Sequence, residues 1–164
     1  SVERARDLRA KPVAIVAAAQ GLGPAYGVSG FQERWFPGVF YRGVADALWQ
    51  HAGCGPSDVD VLQLYENFTG PAIMALCEMG FCPPEEVEAR VRAERLAGPD
   101  AELPINTSGG NLGEAYIHGF ELVNEAVRQV RGDSTCQVRD VELSLAVAGP
   151  GYAPGSAVLF GTAG

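Results

Sequence analysis

The sequence predicts an α/β domain, and three features carry that prediction. Two apolar runs bounded by turn residues, 12–20 (PVAIVAAAQ) and 59–65 (VDVLQLY), read as buried strands. Stretches with helical apolar spacing lie between and after them, the clearest being Leu122, Val123, Ala126, Val127 and Val130 ahead of Gly132. The chain then closes on two more strand-like runs, 141–148 and 156–161, joined by the turn-forming GPGYAPG of residues 149–155. This ending is a β-hairpin. Nothing repeats and no linker composition interrupts the order, so a single domain accounts for the pattern.

Each element has a local reason. Residues 1–10 form a short polar helix that Ser1 can cap and Pro12 stops. Residues 21–38 are a loop of Gly, Pro and aromatic residues with Tyr26, Phe31, Trp35 and Phe36. Residues 39–52 read as a helix ended by Gly53, with Val44, Leu48 and Trp49 on or near one face. After the second strand, Thr69 and Pro71 open a helix that runs to Glu78 and is closed by Gly80. Residues 83–96 are strongly charged and suit a solvated surface helix.

Composition narrows the function classes. At 164 residues the chain can bury a core of ordinary size. A net charge of −8 argues against a nucleic-acid surface, which needs clustered cations; Lys11 is the only lysine. No apolar run approaches the roughly 20 residues that span a bilayer, and the residues show no secretory leader pattern. Cys54, Cys77, Cys82 and Cys136 form neither a CxxC pair nor a dense disulfide pattern, and read as small buried hydrophobes. They suit reduced thiols and a cytoplasmic location, and they offer no metal site.

One segment concentrates the chemistry. Residues 106–119 (NTSGGNLGEAYIHG) hold four glycines, two hydroxyls, a Tyr and one of only two histidines, and lead into the last helix. Glycines permit positive φ and close approach, and a helix start leaves N–H groups that suit an anion or a developing oxyanion. An ordinary strand-to-helix loop has the same composition.

Three segments together resemble a known family. NTSGGNLGEAYIHG is similar to the thiolase segment in which two glycines precede a catalytic Gly-His-Pro. VDVLQLYENF (59–68) resembles the thiolase strand ending in Asn-Glu-Ala-Phe, and VAGPGYAPGS (147–156) stands where thiolases carry a C-terminal Cys-x-Gly loop. The chain looks like the C-terminal half of a thiolase-superfamily protein. The resemblance implies a mixed five-stranded-type sheet covered by helices, with residues 13–164 as the thiolase C-terminal domain. Residues 1–12 would be a remnant of an N-terminal half, as a start at Ser1 without Met also suggests.

The departures carry the functional expectation. Tyr65 falls where thiolases hold an Asn that positions water, and Tyr116 falls at the usual His position, with His118 two residues on. The last loop has no Cys and offers Tyr152. Claisen chemistry needs that thiol and that His. The pattern resembles the lipid-transfer-protein branch of the superfamily, which includes aldolases that cleave side chains from steroid-CoA thioesters. Retro-aldol cleavage needs a base at the β-hydroxyl, an acid near the α-carbon and donors at the thioester oxygen, but no acyl-enzyme.

The resemblance then implies Tyr65 and Tyr152 as the proton-transfer pair, with His118 orienting the thioester or donating to the enolate oxygen. Tyr116, Asn111, Gly109, Gly110 and Gly151 are the substrate-binding candidates, and Glu66 and Glu114 are minor ones. No cofactor is bound by this chain; coenzyme A belongs to the substrate. Expected partners are the acyl-CoA, the N-terminal half, a second copy in a homodimer, and a small oligonucleotide-binding-fold protein, with no nucleic acid and no membrane. A non-catalytic acyl-binding or scaffold module, and an acetyl-CoA acyltransferase with a Cys upstream, are the alternatives.

Overall fold

In a computed structural model, residues 2–22, 40–93, 95–149 and 154–163 are described. The elements are α1 (Val2–Arg6), β1 (Val13–Gly21), α2 (Arg42–Ala52), β2 (Val61–Leu64), α3 (Thr69–Glu78), α4 (Val87–Arg92), α5 (Gly110–Gly113), α6 (Phe120–Arg131), β3 (Leu143–Ala148) and β4 (Gly155–Thr162). Single 3-10 turns at Pro56–Asp58 and Pro84–Glu86 lead into β2 and α4.

The described strands form one mixed sheet in the order β1-β4-β3-β2. β2 and β3 run parallel, with Leu62 beside Leu145, whereas β3–β4 and β4–β1 are antiparallel. β3 and β4 are the predicted terminal hairpin. Beyond β2, Leu62 makes an isolated parallel bridge to Ile105, which places a single residue at a fifth position. The Asn106 side chain continues that edge: its amide oxygen accepts from Leu64 N (2.7 Å) and its amide nitrogen donates to Leu64 O (3.0 Å).

Helices cover both faces. On one, Val44 and Leu48 of α2 and Met74 and Ala75 of α3 pack over Leu62, Leu64, Leu145, Val147 and Leu159. On the other, Ala126 and Val130 of α6 pack over Val61, Ala146 and Phe160. Each fully buried Leu in this sandwich stabilises the fold by about 2 kcal/mol. No helix among the described residues is long and apolar enough to cross a membrane.

Three expectations need correction. The N-terminal helix ends at Arg6, well short of Pro12, because so short a polar helix has little tertiary packing to extend it. Among the described residues β1 is an edge strand and not a buried one: it pairs only with β4, a register shift falls between Ile15 and Ala17, and Ile15 is 67 % exposed. The charged stretch holds a shorter helix than its length suggests, α4, in which only Val87 is buried. The α6 stripe holds in part, since Leu122, Ala126 and Val130 are buried while Val123 and Val127 are half-covered.

The cysteines divide likewise, with Cys77 and Cys82 buried and Cys54 and Cys136 half-buried; all four are free thiols. Burial first, and then Cys82 and the carboxylates of Glu78 and Glu85, push the Cys77 thiol from 9.0 up to about 11. At pH 8 that shift lowers its thiolate fraction about a hundred-fold. Alkylation at pH 8 with peptide mapping is expected to leave Cys77 unmodified under conditions that label it fully in denaturant. Equal labelling in both states would contradict the packing described.

Candidate active site

The site grows from the carboxyl ends of the two parallel strands, the usual position of a crevice in such a sheet. Tyr65 follows β2 directly and its N–H donates to Val147 O of β3 at 3.0 Å. Side chains alternate along an extended chain. Leu64 therefore joins the α2/α3 core, while Tyr65 turns toward the segment before α6.

There the Tyr65 hydroxyl meets the Tyr116 hydroxyl at 2.5 Å. The two rings lie 6.4 Å apart at 26°, and the His118 ring lies 5.0 Å from that of Tyr116. Tyr65 is buried, whereas Tyr116 is half-exposed and His118 is exposed, so the group opens to solvent on one side. With Asn67, Ala148, Gly149, Pro154 and Ser156 these three residues line a cleft of about 360 Å³. None of the cysteines lines it.

The turn that carries Tyr116 and His118 is set by one glycine and one carboxylate. Gly119 has φ +89, and a Cβ there would stand 3.0 Å from the Tyr65 ring. Only a glycine satisfies both the backbone and the ring. Glu121, buried in the first turn of α6, accepts Ile117 N (3.1 Å) and Gly119 N (3.1 Å). The helix's own first N–H groups turn back on the same residues, Phe120 N to Ile117 O (3.3 Å) and Leu122 N to Gly119 O (3.2 Å), which leaves them engaged where free groups were expected.

The remaining candidates lie elsewhere. Gly109, Gly110 and Asn111 do not line the cleft. They wrap α5 around Glu66, whose Oε1 accepts Asn111 N at 2.5 Å and would stand 2.2 Å from a Cβ at Gly110. The buried Asn111 amide has no hydrogen-bond partner among the described residues. Glu114 pairs with Arg128 at 2.8 Å. Tyr152 and Gly151 lie outside the described residues; Gly149 and Pro154, which flank them, line the cleft.

Sequence reasoning missed Asn67, Ser156 and Glu121. Asn67 follows Tyr65 by two residues, the spacing that returns to the same side of an extended chain. Glu121 had the signal of an acid in a first helical turn. Among the described residues no group of three or more His, Cys, Asp or Glu could hold a metal ion.

Residues 40–160 match the family described as thiolase C-terminal domain-like. The chain is 42 % identical, over 98 % of its length, to a 17-hydroxy-3-oxo-4-pregnene-20-carboxyl-CoA lyase of Mycobacterium tuberculosis, of which it spans 42 %. It is 40 % identical, again over 98 % of its length, to a steroid side-chain-cleaving aldolase of Thermomonospora curvata, of which it spans 41 %. A solved structure described as an Ltp2-ChsH2(DUF35) aldolase superposes with a TM-score of 0.87 at 39 % identity, covering 98 % of this chain and 42 % of that one. The chain thus spans about two fifths of the length of these relatives.

Gly119→Ala tests the turn. It forces a side chain into a left-handed backbone and against the Tyr65 ring, an expected loss of about 1–3 kcal/mol. Urea unfolding measures it; a midpoint equal to that of the parent chain would refute the described geometry.

Proposed function

The chain belongs to the thiolase C-terminal domain-like family, and from that membership we propose that it supplies the proton-transfer wall of an aldolase acting on acyl-CoA. The reaction is retro-aldol cleavage of a bulky, steroid-like β-hydroxyacyl-CoA to a ketone and a shorter acyl-CoA. The relatives' names support the class of chemistry, since two are carbon–carbon cleaving enzymes and one names a CoA thioester. The single observation that carries the reading here is the hydroxyl pair of Tyr65 and Tyr116 at 2.5 Å beside His118.

The chemistry follows from that pair. A base takes the proton of the substrate's β-hydroxyl, that oxygen's electron pair forms the ketone, and the Cα–Cβ bond breaks. Its electrons move onto the thioester as an enolate, and the α-carbon then accepts a proton. No thiol nucleophile and no redox partner enters. A phenol serves as the base when its oxygen anion accepts a hydrogen bond, and Tyr116 can donate one to Tyr65. On this reading Tyr65 and Tyr152 are the two proton carriers, Tyr116 orients and stabilises Tyr65, and His118 donates to the thioester or enolate oxygen.

The remainder of the enzyme completes the site. Residues 1–12 are read as the end of an N-terminal thiolase half, and residues 13–164 as the C-terminal domain. A second copy, and a small oligonucleotide-binding-fold protein, are the partners proposed; the structural neighbour is itself described by two components.

Cleavage of a steroid β-hydroxyacyl-CoA by the full assembly, followed by chromatography of both products, is the test. Tyr65→Phe and Tyr152→Phe should each lower kcat by about 10²–10⁴-fold, the usual contribution of a positioned acid or base. Wild-type turnover in both variants would overturn the assignment.

A further inference from the structure

Gly149, which lines the cleft with Tyr65, is held by a residue from a distant part of the chain. Tyr41, just ahead of α2, is buried to 1 % exposure, and its hydroxyl donates to Gly149 O at 2.7 Å. The β3–β4 ladder ends at Ala148 and Ser156, so Gly149 lies one residue beyond the last strand pairing. Tyr41 supplies a partner there. Its ring also lies against the two glycines that bracket the end of the hairpin. A Cβ at Gly149 would stand 3.1 Å from the ring and from the hydroxyl, and one at Gly155 would stand 3.0 Å from the ring.

Tyr41 is itself anchored. Glu78, in the last turn of α3 and 1 % exposed, accepts both Phe40 N (2.9 Å) and Tyr41 N (2.5 Å) on one oxygen. One carboxylate thus fixes the backbone that aims the phenol. Burial, reinforced by the Glu78 charge, holds the Tyr41 phenol well above its ordinary titration range. It therefore remains a donor at neutral and mildly alkaline pH.

We propose that Tyr41, aimed by Glu78, is a positioning residue of the active-site cleft that sets Gly149, which lines the cleft with Tyr65. It does not line the cleft and acts only through the Gly149 peptide and the close approach of the two glycines. The proposal rests on the aldolase reading for its catalytic consequence, and on the geometry alone for the positioning.

Tyr41→Phe, made in the full-length protein, keeps the ring against the glycines and removes only the donor. Hydrogen exchange by mass spectrometry should accelerate at least ten-fold in the peptide spanning residues 148–157, with α6 protection unchanged. In the assembly, kcat should fall about ten-fold or more, with KM within two-fold and the shape of the pH–rate profile retained. Unchanged exchange at 148–157 overturns the proposal whatever the activity. So does faster exchange with unchanged kcat in an assembly whose wild type cleaves. A wild-type assembly that cleaves no steroid acyl-CoA refutes the aldolase reading instead, and the positioning is then decided by exchange alone. If Tyr41→Phe does not fold, Glu78→Gln, which weakens the anchor and keeps the hydroxyl, is judged by the same two readouts.

Discussion

A buried carboxylate must find donors, and this chain meets that requirement with the backbone and hydroxyl groups of its loops. Leaving such a charge unpaired in the interior costs several kcal/mol. Glu78 takes the N–H groups of Phe40 and Tyr41, and Glu121 takes those of Ile117 and Gly119. Glu125 collects the hydroxyls of Thr107 and Ser134 at 2.6 and 2.7 Å, and half-buried Glu66 takes Asn111 N. Three of these acids sit on helices and Glu66 follows β2, and all their partners named here but Asn111, in α5, lie outside the helices and strands. The segments around the cleft are therefore tied to the helices and to the end of β2 by charge satisfaction.

That arrangement explains how an open, partly exposed cleft keeps a defined geometry. Tyr116 and His118 have little apolar cover, yet their turn is closed by Glu121 below and by the approach of Gly119 to the Tyr65 ring. Gly149, on the same cleft, accepts the Tyr41 hydroxyl. The loop that begins at Asn106 is held twice, by the Asn106 amide against Leu64 and by Thr107 against Glu125. Hydrogen bonds to a charged group are stronger than neutral ones, and fewer of them fix a loop.

How much of this could be read beforehand depends on whether the cause was local. β2, α3, α6 and the terminal hairpin were legible because periodicity, Pro and Gly act within a few residues. Counting from Gly109 and Gly110 singled out Tyr116, whose hydroxyl the structure places 2.5 Å from that of Tyr65. The exposure of β1 was not, because an alternation of Val, Ile and Ala reads alike whether a neighbour covers it or not. The buried acids were hidden for a different reason. Glu121, Glu125 and Gln129 recur every four residues, which on a helix reads as a solvated polar face; Glu121 is satisfied by the turn just before it, and Glu125 by Thr107 and Ser134 from beyond the helix.

Charge also divides the labour implied by an acyl-CoA substrate. Such a ligand carries several phosphate charges, and its nucleotide end needs exposed cations. This chain has a net charge of −8, and Arg42, Arg90, Arg92, Arg95, Arg128 and Arg139 each pair with one or more carboxylates. Bringing phosphates to these arginines would require breaking those pairs and adding anions to an already negative surface. The cleft, by contrast, offers hydroxyls, an imidazole and backbone groups, which suit a carbonyl and a developing enolate. On the proposed reading, these six arginines stay committed to the protein's own acids while the cleft handles the reacting carbons.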